Sequence, residues 1–247
     1  VPALFGPWAP KVADAAQISP GQRVLDVACG TGILGREAAA RLGSNGTVVG
    51  IDPDRGMIAV AKRLAPAAEW QEGVAESMPF PDESFDAVVC QFGLMFFADR
   101  CRALREMLRV LKPEGRMVVA VWDSLDYNPA YADAVELLDR LAGQKAAFAL
   151  RAPFVLGNRG ALATLFEDSG IEHTEITTHQ GRAQFPSLRI MVEADLRGWL
   201  PVMGVNLTEE QIAHIVQEAE QSLGSYVTTE GRVAFDTSAH LVKAIKH

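Results

Sequence analysis

Cysteine is scarce in this 247-residue chain, which has only Cys29, Cys90 and Cys101. No two of them form a C-x-x-C pair, and an odd count closes no disulfide framework. A reducing cytoplasm is the compartment that suits such a chain. The histidines (His173, His179, His214, His240 and His247) lack ligand spacing, so no metal site is expected. Long apolar runs are missing as well. The most apolar stretch, 87–98, contains Gln91 and Gly93 and falls short of the ~18 residues that a transmembrane helix needs. No signal-peptide pattern opens the chain, and a first residue of valine rather than methionine points to a trimmed N-terminus. Basic residues are the minority, 23 against 31 acidic, for a formal net charge of −8. Phosphate-backbone binding requires clustered Lys and Arg, so nucleic acid is not the expected partner. There is no internal repeat, low-complexity tract or linker, which leaves one domain over 1–247.

What is present is the composition of an ordinary globular protein, 49% hydrophobic and 22% charged, at a length that builds a sizeable core. The first half alternates strand and helix patterns. Strands are expected at 23–28, 47–51, 68–73, 85–90 and 116–122. A helix ending near 17 comes first, and helices at 33–42, 54–64 and 100–111 fall between the strands. The helix at 100–111 repeats Leu104, Met107, Leu108 and Leu111 at helical spacing, and a turn at 112–115 follows it. This rhythm implies a doubly wound, Rossmann-like α/β sheet, mostly parallel. After Trp122 the rhythm breaks. Helices are expected at 128–141, 159–168, 187–200 and 208–223, the last with a Thr208-x-x-Gln211 capping box. An extended stretch at 171–185 and an antiparallel closing strand at 231–245 complete the chain. The helical parts, about 123–165 and 187–226, are expected to cover a site built on a core of about 21–122.

Gly30, Gly32 and Gly35 fit G-x-G-x-x-G between a strand and a helix, and Asp52 lies 20 residues beyond Gly32. In that setting glycines let the backbone approach a nucleotide-type ligand, amide groups at the helix start attract its anionic parts, and a carboxylate accepts from ribose hydroxyls. A glycine turn that only packs helix on strand is the bland alternative. Two ligand classes fit the loop, dinucleotides and S-adenosylmethionine (SAM). Asp26 stands four residues before Gly30, where its charge repels a pyrophosphate and welcomes an ammonium or sulfonium.

The run from Asp26 to Gly32 resembles the first motif of the class I SAM-dependent methyltransferases, acidic-x-x-x-Gly-x-Gly. Residues 50–57, 73–81, 82–89 and 106–116 resemble later segments of that family, in order. The nearest flavour is the small-molecule branch that includes the ubiquinone and menaquinone C-methyltransferases. The resemblance implies SAM as cofactor, with S-adenosylhomocysteine as product. It also implies a cofactor site of Asp26, Ala28, Gly30, Thr31 and Gly32 at the methionine end, and Asp52 and Pro53 at the ribose. Met57, Ala75, Glu76 and Ser77 would lie around the adenine, with Gln91 and Phe92 bordering the methyl. Where amino-methyltransferases often carry Asp/Asn-Pro-Pro-Tyr/Phe, this chain has Gln91, Phe92, Gly93 and Leu94, which disfavours methylation of a base or a glutamine.

Methyl transfer needs alignment and exclusion of water more than a triad, and none is visible here. Ligands of doubly wound sheets bind beyond the carboxyl ends of the strands. The acceptor therefore belongs near Trp122, Tyr127, Met95 and Phe96, although Met95 to Phe97 also suit core packing. Asp123, Asp126 and Tyr127 are possible proton acceptors or solvated loop groups. The reading is a cytoplasmic SAM-dependent methyltransferase acting on O or C of a small, partly apolar molecule, without nucleic-acid partner or membrane insertion. An NAD-dependent oxidoreductase and a non-catalytic SAM-binding module are the rivals.

Overall fold

A computed structural model describes residues 2–247. Two short helices, α1 (Pro2–Phe5) and α2 (Ala9–Ala15), precede β1 (Arg23–Val27). Then come α3 (Ile33–Leu42), β2 (Thr47–Asp52), α4 (Arg55–Leu64), β3 (Glu69–Glu72) and β4 (Phe85–Gln91). The core half ends with α5 (Arg100–Val110) and β5 (Leu111–Trp122). The second half contains α6 (Pro129–Ala142), α7 (Gln144–Arg151), α8 (Arg159–Asp168) and β6 (Glu175–Phe185). It continues through α9 (Leu188–Glu193), a π-helical stretch (Ala194–Trp199), α10 (Leu200–Val202), α11 (Glu209–Ser222) and β7 (Val233–Ile245).

These strands form one seven-stranded sheet in the order β3-β2-β1-β4-β5-β7-β6. The first five run parallel, and β7 is antiparallel to both β5 and β6. This is the doubly wound sheet with an antiparallel last strand expected from the sequence. Four central strands are buried almost throughout, which is why they read as continuous Val, Ile, Leu and Ala runs rather than alternating ones. Side-chain caps set the helix starts: Asp54 accepts from Met57 N, Asp99 from Arg102 N and Asn158 from Ala161 N, each at 2.9 Å. Chain order reverses between β1 and β4, so the crevice beyond their carboxyl ends is where this topology places a ligand.

The local differences from expectation have physical causes. The turn expected at 112–115 is part of β5. Its chain bends there through a register shift between Phe85 and Ala87, and Glu114 N donates to Lys246 O at 2.7 Å. Helix α7 was not expected at all. Its Ala146, Ala147, Ala149 and Leu150 are buried without a clean periodic stripe. The helix expected at 187–200 widens into a π stretch midway. No helix among the described residues is long and apolar enough to cross a membrane.

Candidate active site

The glycine loop after β1 is held in left-handed backbone conformations. Ala28, Gly30 and Gly32 have φ of 55°, 53° and 75°. Ala28 pays a steric cost that glycine would not, which marks a strained position at the crevice. The glycines also answer to packing. A Cβ on Gly35 would lie 2.5 Å from the Trp70 indole, and one on Gly50 would lie 2.2 Å from it. Trp70 fills the space between α3 and β2, anchored by its Nε1 donating to Ala65 O at 2.8 Å. The bland reading of the loop is therefore true in part, because a Cβ on Gly32 would also lie 2.7 Å from the indole, so Gly32 and Gly35 both make room for the tryptophan.

Asp52 joins the loop to the end of β2. Its Oδ2 accepts from Gly30 N and its Oδ1 from Asp54 N, both at 2.9 Å. Burial pushes its carboxyl up, while these two amides pull it down. Asp26 is different. It is 1% exposed, and its Oδ2 has no hydrogen-bond partner. Burial raises its carboxyl to about 8, with the Gly35 amide opposing, Asp52 adding to the rise and Arg36 opposing again. An orphaned, desolvated acceptor below the glycine loop fits a cationic ligand group, whose charge would compensate it.

Around these residues lie the rest of the expected cofactor set. Met57 stands 37% exposed at the start of α4, and Pro53 is exposed beside it. Ala75 is buried and Ser77 exposed. Glu76 is committed in part, since its Oε1 accepts from Ala98 N at 2.8 Å and from Asp99 N at 3.3 Å. Thr31 O accepts from Arg36 Nη1 at 2.6 Å. Gln91 reaches back to the N-terminal segment, its Nε2 donating to Phe5 O at 3.1 Å, while its Oε1 is buried without a partner.

Beyond β4 and β5 stands an aromatic box. Phe92, itself at φ 58°, stacks on Trp122 with centroids 3.9 Å apart and planes 6° from parallel. Phe5 and Trp8 from the N-terminal segment close on both rings, and Phe154 approaches Trp122 from the second half at 6.2 Å. Met95 is buried in the core. Phe96 is 43% exposed and meets Trp199 at 4.9 Å, which brings the π-helical stretch over the loop after β4. Tyr127 is 64% exposed on a surface turn.

Asp123 is fully engaged. Its Oδ2 accepts from Ser238 Oγ and its Oδ1 from Ser124 N, both at 2.8 Å, and His240 Nε2 lies 3.2 Å away. Asn128 ties the same node to β7 by accepting from Ser238 N and donating to Ser238 O. This network pins the residue after Trp122 and leaves no free proton acceptor there. Burial pushes the Cys29 and Cys90 thiols up, Cys90 to about 12, so neither is poised as a nucleophile. Sequence reasoning singled out nothing at Asp195, a half-buried carboxyl in the π-helical stretch. One signal was available, a lone charge inside the apolar stripe of the helix expected at 187–200.

Residues 25–119 match the sequence family described as a methyltransferase domain. Over these residues the chain is similar to methyltransferases. The demethylmenaquinone methyltransferase of Renibacterium salmoninarum is 44% identical over 133 residues, covering 54% of this chain and 55% of that protein. The ubiquinone/menaquinone biosynthesis C-methyltransferase UbiE of Geotalea daltonii is 40% identical over 107 residues, 41% of this chain and 46% of that one. The chain thus spans about half the length of the curated relatives it matches. Among solved structures, the YcgJ protein of Bacillus subtilis superposes with a TM-score of 0.61 at 20% identity, over 97% of both chains, a likeness of fold. SAM is the cofactor of this methyltransferase class, and the orphaned Asp26 oxygen and the open glycine loop suit it.

Proposed function

We propose that this protein methylates carbon or oxygen of a small, partly apolar acceptor of the phenol or hydroquinone kind. The observation that carries the reading is the parallel Phe92–Trp122 pair beside the glycine loop, enclosed by Phe5, Trp8 and Phe154. Such a cluster closes the end of the crevice with apolar rings and excludes water from a displacement reaction. The demethylmenaquinone methyltransferase relative supports a ring acceptor of this size and polarity.

Bound SAM supplies an electrophilic methyl group on a sulfonium centre. The chain's own residues align and shield. Asp26, Ala28, Gly30, Thr31 and Gly32 hold the methionine end, and Asp52 with Pro53 takes the ribose. Met57, Ala75, Glu76 and Ser77 surround the adenine. Gln91 and Phe92 border the methyl, and Trp122 with Phe96 meets the acceptor. Residues 21–122 act as the cofactor core, and about 123–165 and 187–226 as the acceptor cover. The protein works in the cytoplasm on a free small molecule, without nucleic acid.

Calorimetry with SAM, S-adenosylhomocysteine and NAD tests the cofactor half of this reading. Binding of the first two and not of NAD is expected; NAD binding alone would overturn it. Anaerobic turnover with 1,4-dihydroxynaphthalene and substituted phenols then tests the acceptor half, with S-adenosylhomocysteine release as the measure.

A further inference from the structure

Strand β5 ends at Trp122, opposite Ala239 of β7. Strands β6 and β7 go on pairing beyond that point, from Gln180 opposite Ser238 to Phe185 opposite Val233. Their ends therefore stand past the carboxyl edge of the sheet. One face of this overhang carries the N-terminal segment, since a Cβ on Gly181 would lie 2.6 Å from the Trp8 indole. Successive residues of a strand point to opposite faces, so Arg182 and Gln184 share the other face of β6. Arg182 meets Asp236 across the ladder at 3.1 Å, and both side chains are exposed.

A groove of about 680 Å³ opens here, between the N-terminal segment, the end of β6 and α9. Its size is that of a small-molecule site. Pro2 and Pro7 line one side. Phe185 and Ile190 line the other, and Ile190 is 49% exposed although apolar. Arg182, Gln184 and Arg232 supply the polar lining, and no carboxylate is among the described residues that form it. In a chain of net charge −8 this is a local reversal of sign. The turn before β7 fixes Arg232, whose carbonyl accepts from Thr228 N at 2.7 Å while Val227 bridges to Val233. Asp236, Asp195 and Glu230 are the acidic neighbours along the chain, and of these only Asp236 is bonded to a lining side chain. Arg232 has no ion-pair partner among the described residues.

We infer that this groove is a binding site for an apolar acid, a carboxylate carried on an aliphatic or aryl body. Guanidinium forks match the geometry of a carboxylate, and Gln184 adds an amide donor. Because Asp236 offsets one of the two arginines, the lining presents one net positive charge, which suits a monoanion over a dianionic phosphate. An exposed ion pair such as Arg182–Asp236 is worth little by itself, so a ligand carboxylate can take the place of Asp236. Pro2, Pro7, Phe185 and Ile190 cover the apolar body. The groove is joined to the cofactor crevice through the N-terminal segment, whose Phe5 and Trp8 reach the Phe92–Trp122 pair. The site is independent of the methyltransferase reading.

The test uses the full chain with octanoate below its micelle concentration, and octanol and octylamine as neutral and cationic controls. Calorimetry should show octanoate binding roughly tenfold tighter than either control. Arg232→Gln should weaken octanoate on the order of tenfold, and Arg182→Gln about threefold, because Arg182 is already shared with Asp236. Asp236→Asn should tighten octanoate, since it frees Arg182. Ile190→Ser should weaken octanoate and octanol alike. All four side chains are exposed, so melting midpoints should match wild type. Nitrogen-15 NMR of the wild type adds a readout that needs no variant affinity. The side-chain Nε resonances of Arg182 and Arg232 should move with octanoate and stay in place with octanol. Equal binding of octanoate and octanol, unchanged affinity in Arg232→Gln, or shifts confined to residues of the cofactor crevice would overturn the site. So would the absence of octanoate binding at millimolar concentration. SAM has no part in these measurements, so a failure here leaves methyl transfer standing, and a failure to bind SAM leaves the groove standing.

Discussion

On the cofactor side of the crevice, Asp52 has both oxygens bonded to backbone amides, while Asp26 below it keeps one oxygen bare. On the acceptor side, Asp123 is bonded by Ser238 and Ser124 and flanked by His240, while Asp195 stands desolvated on the cover. Each side thus has one carboxylate spent on fixing a loop and one left under strain. A bonded carboxylate that loses its partners costs stability, whereas a bare one already costs stability and is relieved by removal. The two kinds should respond to substitution with opposite signs.

The largest effect is expected at Asp123. Asp123→Ala leaves Ser238 Oγ and Ser124 N without their acceptor, while His240 Nε2 keeps Gly157 O at 3.0 Å. With two unsatisfied groups at roughly 1–3 kcal/mol each, unfolding in urea should show a loss of about 3–5 kcal/mol. Asp26→Asn should move the other way. Its unfolded carboxyl ionises near 3.8 and its folded one near 8, so wild-type stability falls as pH rises through that window and is level above it. The amide removes this slope. At pH 6 the variant should be more stable by roughly 3 kcal/mol, equal to wild type near pH 3, and weaker in SAM binding. A destabilised Asp26→Asn would mean that the bare oxygen has a structural partner after all.

Asp52→Ala comes next. Calorimetry should show SAM binding weakened by about 1–3 kcal/mol, the range for losing hydrogen bonds to a charged acceptor. Part of that loss comes from the glycine loop, because Gly30 N then has no acceptor. Asp52→Asn should separate the two, keeping an acceptor for one amide while losing the charge.

These contrasts follow the line between what the sequence made legible and what it did not. The strands from β1 to β5 were readable because burial on both faces demands unbroken apolar runs, and Asp54 and Asp99 announced the helices they cap. Gly30 and Asp52 could be paired because one turn geometry links them at fixed spacing. Trp70 could not be foreseen as the reason for Gly35 and Gly50, because that packing joins β3 to α3 and β2 across the fold. The Asp123 node was hidden for the same reason, with Ser238 and His240 more than a hundred residues downstream. Helix α7 lacked periodicity, and the π-helical stretch depends on tertiary packing that no local pattern encodes.

The smallest effect sharpens the comparison most, because it asks whether the cover shares the stability of the sheet. Thr208 Oγ1 accepts from Gln211 N at 3.2 Å and Gln211 Oε1 from Thr208 N at 2.9 Å, a reciprocal cap that starts α11. Thr208→Ala removes half of it, at a cost of about 1 kcal/mol. Helix α11 packs on α6 and α9 by a stripe of Ile212, Ile215 and Ala219 with Val216 half-buried beside it, and most of its other residues face solvent. The cover therefore has less buried surface to hold it than the central strands, and regions of that kind open below the global unfolding energy. Hydrogen exchange should show amides of α9 to α11 in Thr208→Ala exchanging roughly fivefold faster, with β1, β4 and β5 unchanged. Equal acceleration in the sheet would mean that the cover and the cofactor core unfold as one unit, and that acceptor entry requires motion elsewhere, at the N-terminal segment that Gln91 holds through Phe5 O.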